Sequence, residues 1–509
     1  MFAPVHSLAL RFLVLAIAMM LCLLAGEVAI RTLDGYSLAR FELLRTAPPR
    51  SPALQSARVR RHMEEIPLAE GVDPEWFSLD PPPLENRGPT PPELRQLSDE
   101  IESWRVKREF LQVFNSKFAE SVFCGWYREI AFQFPGFAFV YDPPDGSPFP
   151  RFRHYPSVTT PLGLVTNRWG WRGPDIEVQK PDDVIRIAFI GASTTVNSHS
   201  APFSYPEFVG HWLNRWAAAA GYEVRFEALN LGRAGIDSRS IAAVVHQELL
   251  PVEPDLVVYY EGSNDFRSVR KLVESKASMD SPQAPNTHLE STEEAKHSAL
   301  LLRLHYSLGG RTSNRAGEPP RPSYRLKWPQ DLDEMRPDLA RRDLPLTLST
   351  QIRDFDSIRA ELDAIGADLV MSSFFWLVSD GLVLDRKRHR RIYDQLNGPY
   401  WPLSYRDLRR FIDFQNRVYR RYAETRGLGF IDFAASYPQD PEISNDAVHK
   451  TPEGVRLHAW IALQALVPLV RDRLEAGSLP RPDRDALGQH PAFPMEIRRM
   501  PITCEENAS

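Results

Sequence analysis

Beyond residue 183 the chain alternates short apolar runs with amphipathic stretches. The runs 185–190, 224–229, 256–260, 369–374 and 429–433 are mostly apolar along their whole length, as strands buried on both faces should be. Between them apolar residues recur every three or four positions. Ile352, Phe355, Ile358, Leu362 and Ile365 form one such series and Phe411, Phe414, Val418 and Tyr422 another, each marking one face of a helix. Strands separated by helices join through right-handed crossovers into a parallel sheet, so residues 183–475 are predicted to form an α/β domain, a three-layer α/β/α sandwich with a central parallel sheet. Its last helix should start at Thr451, a good N-cap, with Pro452 in the first helical position. The polar, proline-containing stretch 270–345 is too long for a plain connection and reads as an insertion over one edge of the sheet.

The pattern before residue 183 is different. Residues 12–26 carry no charge, and with Leu8 to Leu10 and a snorkelling Arg11 the segment 8–30 is long enough for a membrane-spanning helix. No A-x-A cleavage pattern follows it, which favours an uncleaved signal-anchor over a removed signal peptide. Either form exports the rest of the chain, and a periplasmic location for the sheet domain, or a secreted one after cleavage, is expected. Arg31, Arg40 and Arg45 after the helix outnumber Arg11 before it, which by the positive-inside rule favours the opposite orientation. Residues 31–100, with P-P-R-S-P, D-P-P-P-L and P-T-P-P-E, read as a semi-extended proline-rich spacer. Residues 101–182 read as an accessory region packing on the sheet domain, with a helix near 92–118 and short strands and turns around 164–171. The tail 476–509 carries no usable pattern.

Composition narrows the partners. In 509 residues 43% are hydrophobic, ample for a large core, and 61 Lys plus Arg stand against 66 Asp plus Glu. A net charge of -5 argues against binding nucleic acid over the whole surface. One basic run, Arg386 to Arg391, departs from this balance. A solvated face is its ordinary meaning, and contact with anionic lipid or an acidic polymer the sharper one. Cys22, Cys124 and Cys504 could supply one bridge, Cys124 to Cys504, although unpaired thiols are the simpler reading. No Cys or His spacing suggests a zinc site, and neither a metal nor a cofactor is expected.

Candidate chemistry lies in four loops, each leaving the carboxyl end of a predicted strand. They are G-A-S-T-T with Gly191 and Ser193, N-L-G-R-A-G with Gly232 and Gly235, E-G-S-N-D with Gly262, Asn264 and Asp265, and D-A-V-H with Asp446 and His449. In a parallel sheet these ends share one side, so four distant segments converge on one crevice. Acyl transfer needs a serine activated by a base, a contribution of roughly 10²- to 10⁴-fold, and His449 supplies that base for Ser193. Asp446 can hold the other ring N–H and fix the tautomer. The backbone N–H of Gly235 and the side-chain amide of Asn264 suit an oxyanion hole, with the N–H of Ser193 a third candidate donor. Taken singly, Ser193 could cap a helix, Gly232 and Gly235 could be turn glycines, and Asn264 with Asp265 an Asx turn. The G-K-[ST] ending of a phosphate-binding loop is missing.

At these residues the sequence resembles the SGNH (GDSL-like) hydrolase superfamily. G-A-S-T-T matches its first block at Ser193, N-L-G-R-A-G its second at Gly235, G-S-N-D its third at Asn264, and D-A-V-H its last at Asp446 and His449. The segment T-N-R-W-G-W-R-G-P, together with an N-terminal anchor, resembles the membrane-anchored bacterial members. The resemblance implies a metal-free esterase, lipase, thioesterase or carbohydrate deacetylase, acting on an O-acyl ester of a carbohydrate or lipid. It also admits an O-acetyltransferase of exopolysaccharide, or a non-catalytic glycan-binding scaffold that keeps the fold. One departure stands beside the nucleophile: the Asp that precedes the serine in the family is Ala192 here.

Overall fold

Each apolar run of the sheet domain becomes a strand flanked by helices. The computed structural model describes residues 3–34, 52–84, 163–197, 202–265, 323–379, 389–397 and 405–481. Shorter pieces are described at 140–141, 153–154, 157, 159, 279–283, 290–291, 300, 382–384 and 403. The helix expected near 92–118, Cys124, Cys504, residues 386–388 of the basic run and the tail beyond residue 481 lie outside the described residues.

Five strands, β1 (Val184–Gly191), β2 (Arg225–Asn230), β3 (Leu256–Tyr260), β4 (Asp368–Ser372) and β5 (Gly429–Ile431), form one sheet in the order β5-β4-β3-β1-β2. Every pairing in it is parallel. Consecutive strands step one way from β1 to β2 and the other way from β3 onward, so the order reverses between β1 and β3. Crevices for ligands open at the carboxyl ends of strands at such a reversal. The register sets those ends level, with Gly191 opposite Tyr260 and Phe189 opposite Asn230.

Helices cover both faces. On one lie α4 (Tyr205–Ala220) and α10 (Pro452–Glu475), and on the other α5 (Ser238–Val244), α6 (Leu348–Ala364) and α8 (Tyr405–Arg426). The first layer is aromatic: Trp212 meets Trp460 edge-on at 5.3 Å, and Phe189 meets Tyr205 at 5.3 Å. The second is built around Phe355, edge-on to Tyr259 at 4.9 Å and to Tyr419 at 5.2 Å. The start of α10 is as its sequence requires, with the Thr451 side chain accepting from the N–H of Gly454.

Arg186, inside the otherwise apolar β1, is fully buried. Its guanidinium donates to Glu227 at 2.8 Å and to the carbonyls of Val252 at 2.7 Å and Val178 at 3.0 Å, which offsets the cost of burying the charge. Arg481, just past the last helix, donates to the carbonyls of Pro254 and Asp255, so the first residues of the tail also close on the sheet domain.

The proline-rich stretch does not stay extended throughout. Within it α2 (Pro52–Glu64) and a 3₁₀ turn (Pro74–Ser78) pack on α10 and α4, because Val59, Met63, Trp76 and Phe77 bury their apolar surface there. Polar contacts fasten the same segment. Arg58 and His62 reach Asp440 at 2.9 and 3.1 Å, and the indole of Trp216 donates to the carbonyl of Glu70. Burial alone would raise the Asp440 pKa. Hydrogen bonds from His62, Arg58 and the N–H of Glu442 outweigh it and hold the carboxyl at about 2.

Residues 326–346 lie against α8. Trp328 meets Phe414 edge-on at 5.3 Å, and the Arg410 guanidinium sits 4.0 Å over the Trp328 ring. In the basic run His389 is buried against Glu442 at 3.1 Å while Arg391 faces solvent, so the run is not one uniform charged face. At the other end of the chain, α1 (Ala3–Asp34) contains a stretch, Arg11–Ile30, long and apolar enough to cross a membrane, with Phe12, Leu15 and Met20 exposed.

Candidate active site

The nucleophile candidate sits where β1 ends. Gly191 closes the strand, and α3 (Ser193–Val196) is a single helical turn that starts at Ser193. Gly191 has no room for a side chain: a β-carbon would lie 2.2 Å from Thr195 Oγ1 and 2.3 Å from the Tyr260 carbonyl oxygen. Gly232 has the same role in the next loop, where a β-carbon would lie 2.4 Å from the Val196 nitrogen. Asn230 completes the contact, its side chain donating to the Thr195 carbonyl at 2.9 Å and accepting from the N–H of Gly232 at 3.0 Å. The first two loops are thus pressed together by glycines and tied by one amide.

The loop from Ser444 to Lys450 brings in the candidate base. It does not leave β5 directly, since α9 (Phe433–Ser436) and a 3₁₀ turn (Pro441–Ile443) intervene. His449 Nε2 lies 2.7 Å from Ser193 Oγ, and its Nδ1 lies 2.7 Å from Asp446 Oδ2. With Asp446 ionised, Nδ1 carries the proton and Nε2 is the acceptor for the serine hydroxyl. Asp446 Oδ1 accepts from the N–H groups of Val448 and His449 at 2.9 and 2.8 Å. Burial pushes the Asp446 pKa up. The facing His449 and these hydrogen bonds more than reverse it, holding the carboxyl well below the usual carboxylate range.

Neighbouring elements hold this loop from three sides. The Ala447 carbonyl accepts from the N–H of Leu377, beyond β4, at 2.8 Å. The N–H of Ala447 donates to Gln395 of α7 (Arg390–Asn397), also at 2.8 Å. Lys450 turns inward, donating to the Tyr260 hydroxyl at 3.1 Å and lying about 5 Å from the ring centres of Tyr260, Phe375 and Tyr437. Removal from water pulls its pKa down to about 7. Behind it, His458 is buried and stacked 3.9 Å from Phe433, and the loss of hydration keeps the ring neutral.

The third loop, after β3, presents Asn264. Its side-chain Nδ2 is buried and has no hydrogen-bond partner. Glu261 organises this loop: Oε1 accepts from the N–H of Ser263 at 2.6 Å, the N–H of Asn264 at 2.7 Å and the Ser263 hydroxyl at 3.1 Å. Burial raises the Glu261 pKa, and those same bonds oppose the rise. Gly235, in the second loop, has φ of +75°, with open space where a β-carbon would point. Asp265 accepts from the Ser238 hydroxyl at 2.7 Å, joining the third loop to the start of α5.

No family model matches this chain, and no curated protein is found similar to it. Among solved structures, an acetylxylan esterase from Geobacillus stearothermophilus is similar at 15% identity over 56% of this chain and 96% of the esterase, with a TM-score of 0.32. A GDSL-like lipase from Bacteroides thetaiotaomicron is similar at 14% identity over 56% of this chain and 88% of the lipase, with a TM-score of 0.26.

The structure brings Ser193, His449 and Asp446 into one hydrogen-bonded line, and the Asn264 amide nitrogen is buried without a hydrogen-bond partner. Residues that pattern reading passes over are Glu261 and Lys450. A charged residue at the end of the apolar run L-V-V-Y-Y-E was the available signal for the first. For Lys450 the sequence offers none, because a lysine beside a polar loop reads as solvated. Among the described residues no group of acidic, His or Cys side chains is arranged to hold a metal ion.

Proposed function

We propose that this chain is a serine carboxylic ester hydrolase of SGNH type, in which Ser193 is the nucleophile, His449 the base and Asp446 its orienting partner. The observation that carries the reading is the pair of 2.7 Å contacts on the two nitrogens of His449. Ser193 Oγ attacks the acyl carbon as its proton passes to His449 Nε2, and ionised Asp446 stabilises the imidazolium. The oxyanion accepts hydrogen bonds from Asn264 Nδ2 and the N–H of Gly235, donors that need no reorganisation. His449 then gives its proton to the departing alkoxide. Water repeats the sequence on the acyl-enzyme and frees the carboxylic acid.

The substrate class we assign is an O-acyl ester on a carbohydrate or lipid. The apolar helix at the start of the chain supports a membrane anchor, and a site outside the cytoplasm is part of the same proposal. Labelling with a fluorophosphonate probe tests the core of this reading. The protein should label and Ser193→Ala should not; equal labelling of the two removes Ser193 as nucleophile. With an acetyl ester as substrate, free acetate should appear without any added acceptor; loss of the ester that depends on a sugar acceptor, with acetylated sugar formed and little free acetate, would make the protein a transferase instead.

A further inference from the structure

The turn that carries Ser193 is too short to hold its own position. A one-turn helix has only a few internal bonds, here from Val196 N–H to the Ala192 carbonyl at 3.0 Å and from Asn197 N–H to the Ser193 carbonyl at 2.9 Å. It ends on Asn197, with φ of +49°, a left-handed conformation that asparagine adopts at helix ends and that stops the helix there. Something outside the turn must therefore fix its far end.

That group is Arg172, 24 residues before Val196 in the segment that precedes the sheet. Its side chain is buried; two of its bonds fall on the end of the turn and two on Pro202 and Glu207 beyond it. Nη1 donates to the carbonyls of Val196 at 3.0 Å and Asn197 at 2.9 Å, Nη2 to the carbonyl of Pro202 at 2.8 Å, and Nε to Glu207 at 3.1 Å. Glu207 in turn accepts from the N–H and hydroxyl of Ser204, which caps α4. The backbone of Arg172 bridges to Asn230, whose amide takes the Thr195 carbonyl. All three carbonyls that close the turn, those of Thr195, Val196 and Asn197, thus end on this one pair of residues. The neighbouring Trp171 donates from its indole to Glu248 at 3.0 Å, and Glu248 also pairs with Arg233 of the Gly235 loop.

We propose that Arg172 is a positioning residue for Ser193, and that the segment before the sheet is through it a working part of the catalytic site. This rests on the reading of Ser193 as nucleophile. A planar guanidinium serves four acceptors in fixed directions; an ammonium on a flexible stem cannot, although it keeps the charge opposite Glu207. Small errors in the placement of a nucleophile cost about 10- to 100-fold in rate without weakening ground-state binding to match.

The experiment compares the full chain with Arg172→Lys and with the double variant Arg172→Met/Glu207→Gln, which leaves no buried charge unpaired. Thermal melting, the fluorophosphonate labelling rate, and kcat and KM for a small acyl ester are measured on each. We expect Arg172→Lys to melt within a few degrees of the wild type, to label about 10- to 100-fold more slowly, and to lose kcat by that factor with KM within about twofold. The double variant should behave likewise. Wild-type labelling rates in folded Arg172→Lys would overturn the proposal. So would unfolding of both variants, or a loss of labelling that follows the unfolded fraction, since Arg172 would then serve stability alone. Failure of the wild type itself to label would instead overturn the assignment of Ser193.

Discussion

Ser193 Oγ and His449 Nε2 lie 2.7 Å apart although 256 residues separate them in the chain. The distance is set by structure on both sides. Gly191 and Gly232 press the serine turn against its neighbours, and Leu377, Gln395 and Asp446 hold the histidine loop. Neither loop could adopt its shape alone, so the contact reports the whole upper edge of the sheet.

Asn264 should matter to turnover more than to binding. Asn264→Ala is expected to lower kcat by about 10²- to 10³-fold with little change in KM, since the amide is needed most when charge develops on the oxygen. Glu261→Ala should lower kcat as well, because the N–H groups of Ser263 and Asn264 lose their acceptor. Steady-state kinetics on a chromogenic acyl ester measure both. An Asn264→Ala enzyme with unchanged kcat would remove this amide from the oxyanion hole.

Two glycines should fail in different ways. Gly191→Ala forces a β-carbon to 2.3 Å from a backbone carbonyl that cannot move aside, and should cost about 3 kcal/mol of stability or more. Gly235→Ala meets open space and carries only the strain of its positive φ, about 1 kcal/mol. Urea unfolding midpoints should therefore fall much further for Gly191→Ala, and the reverse order would contradict the packing described at the end of β1.

Lys450 gives the protein a distinctive pH dependence. In the folded chain it releases its proton near pH 7, against 10.5 as the ordinary value. Between those limits the unfolded chain binds more protons, so this residue makes stability rise with pH from about 7 to about 10.5, and its burial penalty is full below 7. Lys450→Met should accordingly be the more stable protein at pH 6, by an amount on the order of a few kcal/mol, with the gap shrinking by pH 9. Denaturant unfolding at the two pH values measures it. A gap of equal size at both would show that the ammonium is not desolvated.

Much of the fold was legible because its signals are local. The run 256–260 reads as a strand and is β3 residue for residue, and Thr451 with Pro452 announces α10 where it begins. The candidate triad was legible for a related reason: a serine after a strand-ending glycine and a D-x-x-H loop are short patterns, and the rule that parallel strands end on one side brings them together. The spacer reading was local too, and there it misled. Prolines between 46 and 92 suggest an extended chain, yet Val59, Met63, Trp76 and Phe77 lie between those prolines and find a surface to cover on α10 and α4.

By itself, then, the sequence determined the order of strands and helices and the residue types at the four loops, since periodicity, caps and turn chemistry act over a few residues. Only the tertiary structure decided which charges would be buried and what they would hold. Arg172 on the Val196 and Asn197 carbonyls and Lys450 against Tyr260 each join segments distant in the chain. A charged side chain looks solvated in a sequence. Its partners exist only after the sheet has brought them within hydrogen-bonding distance.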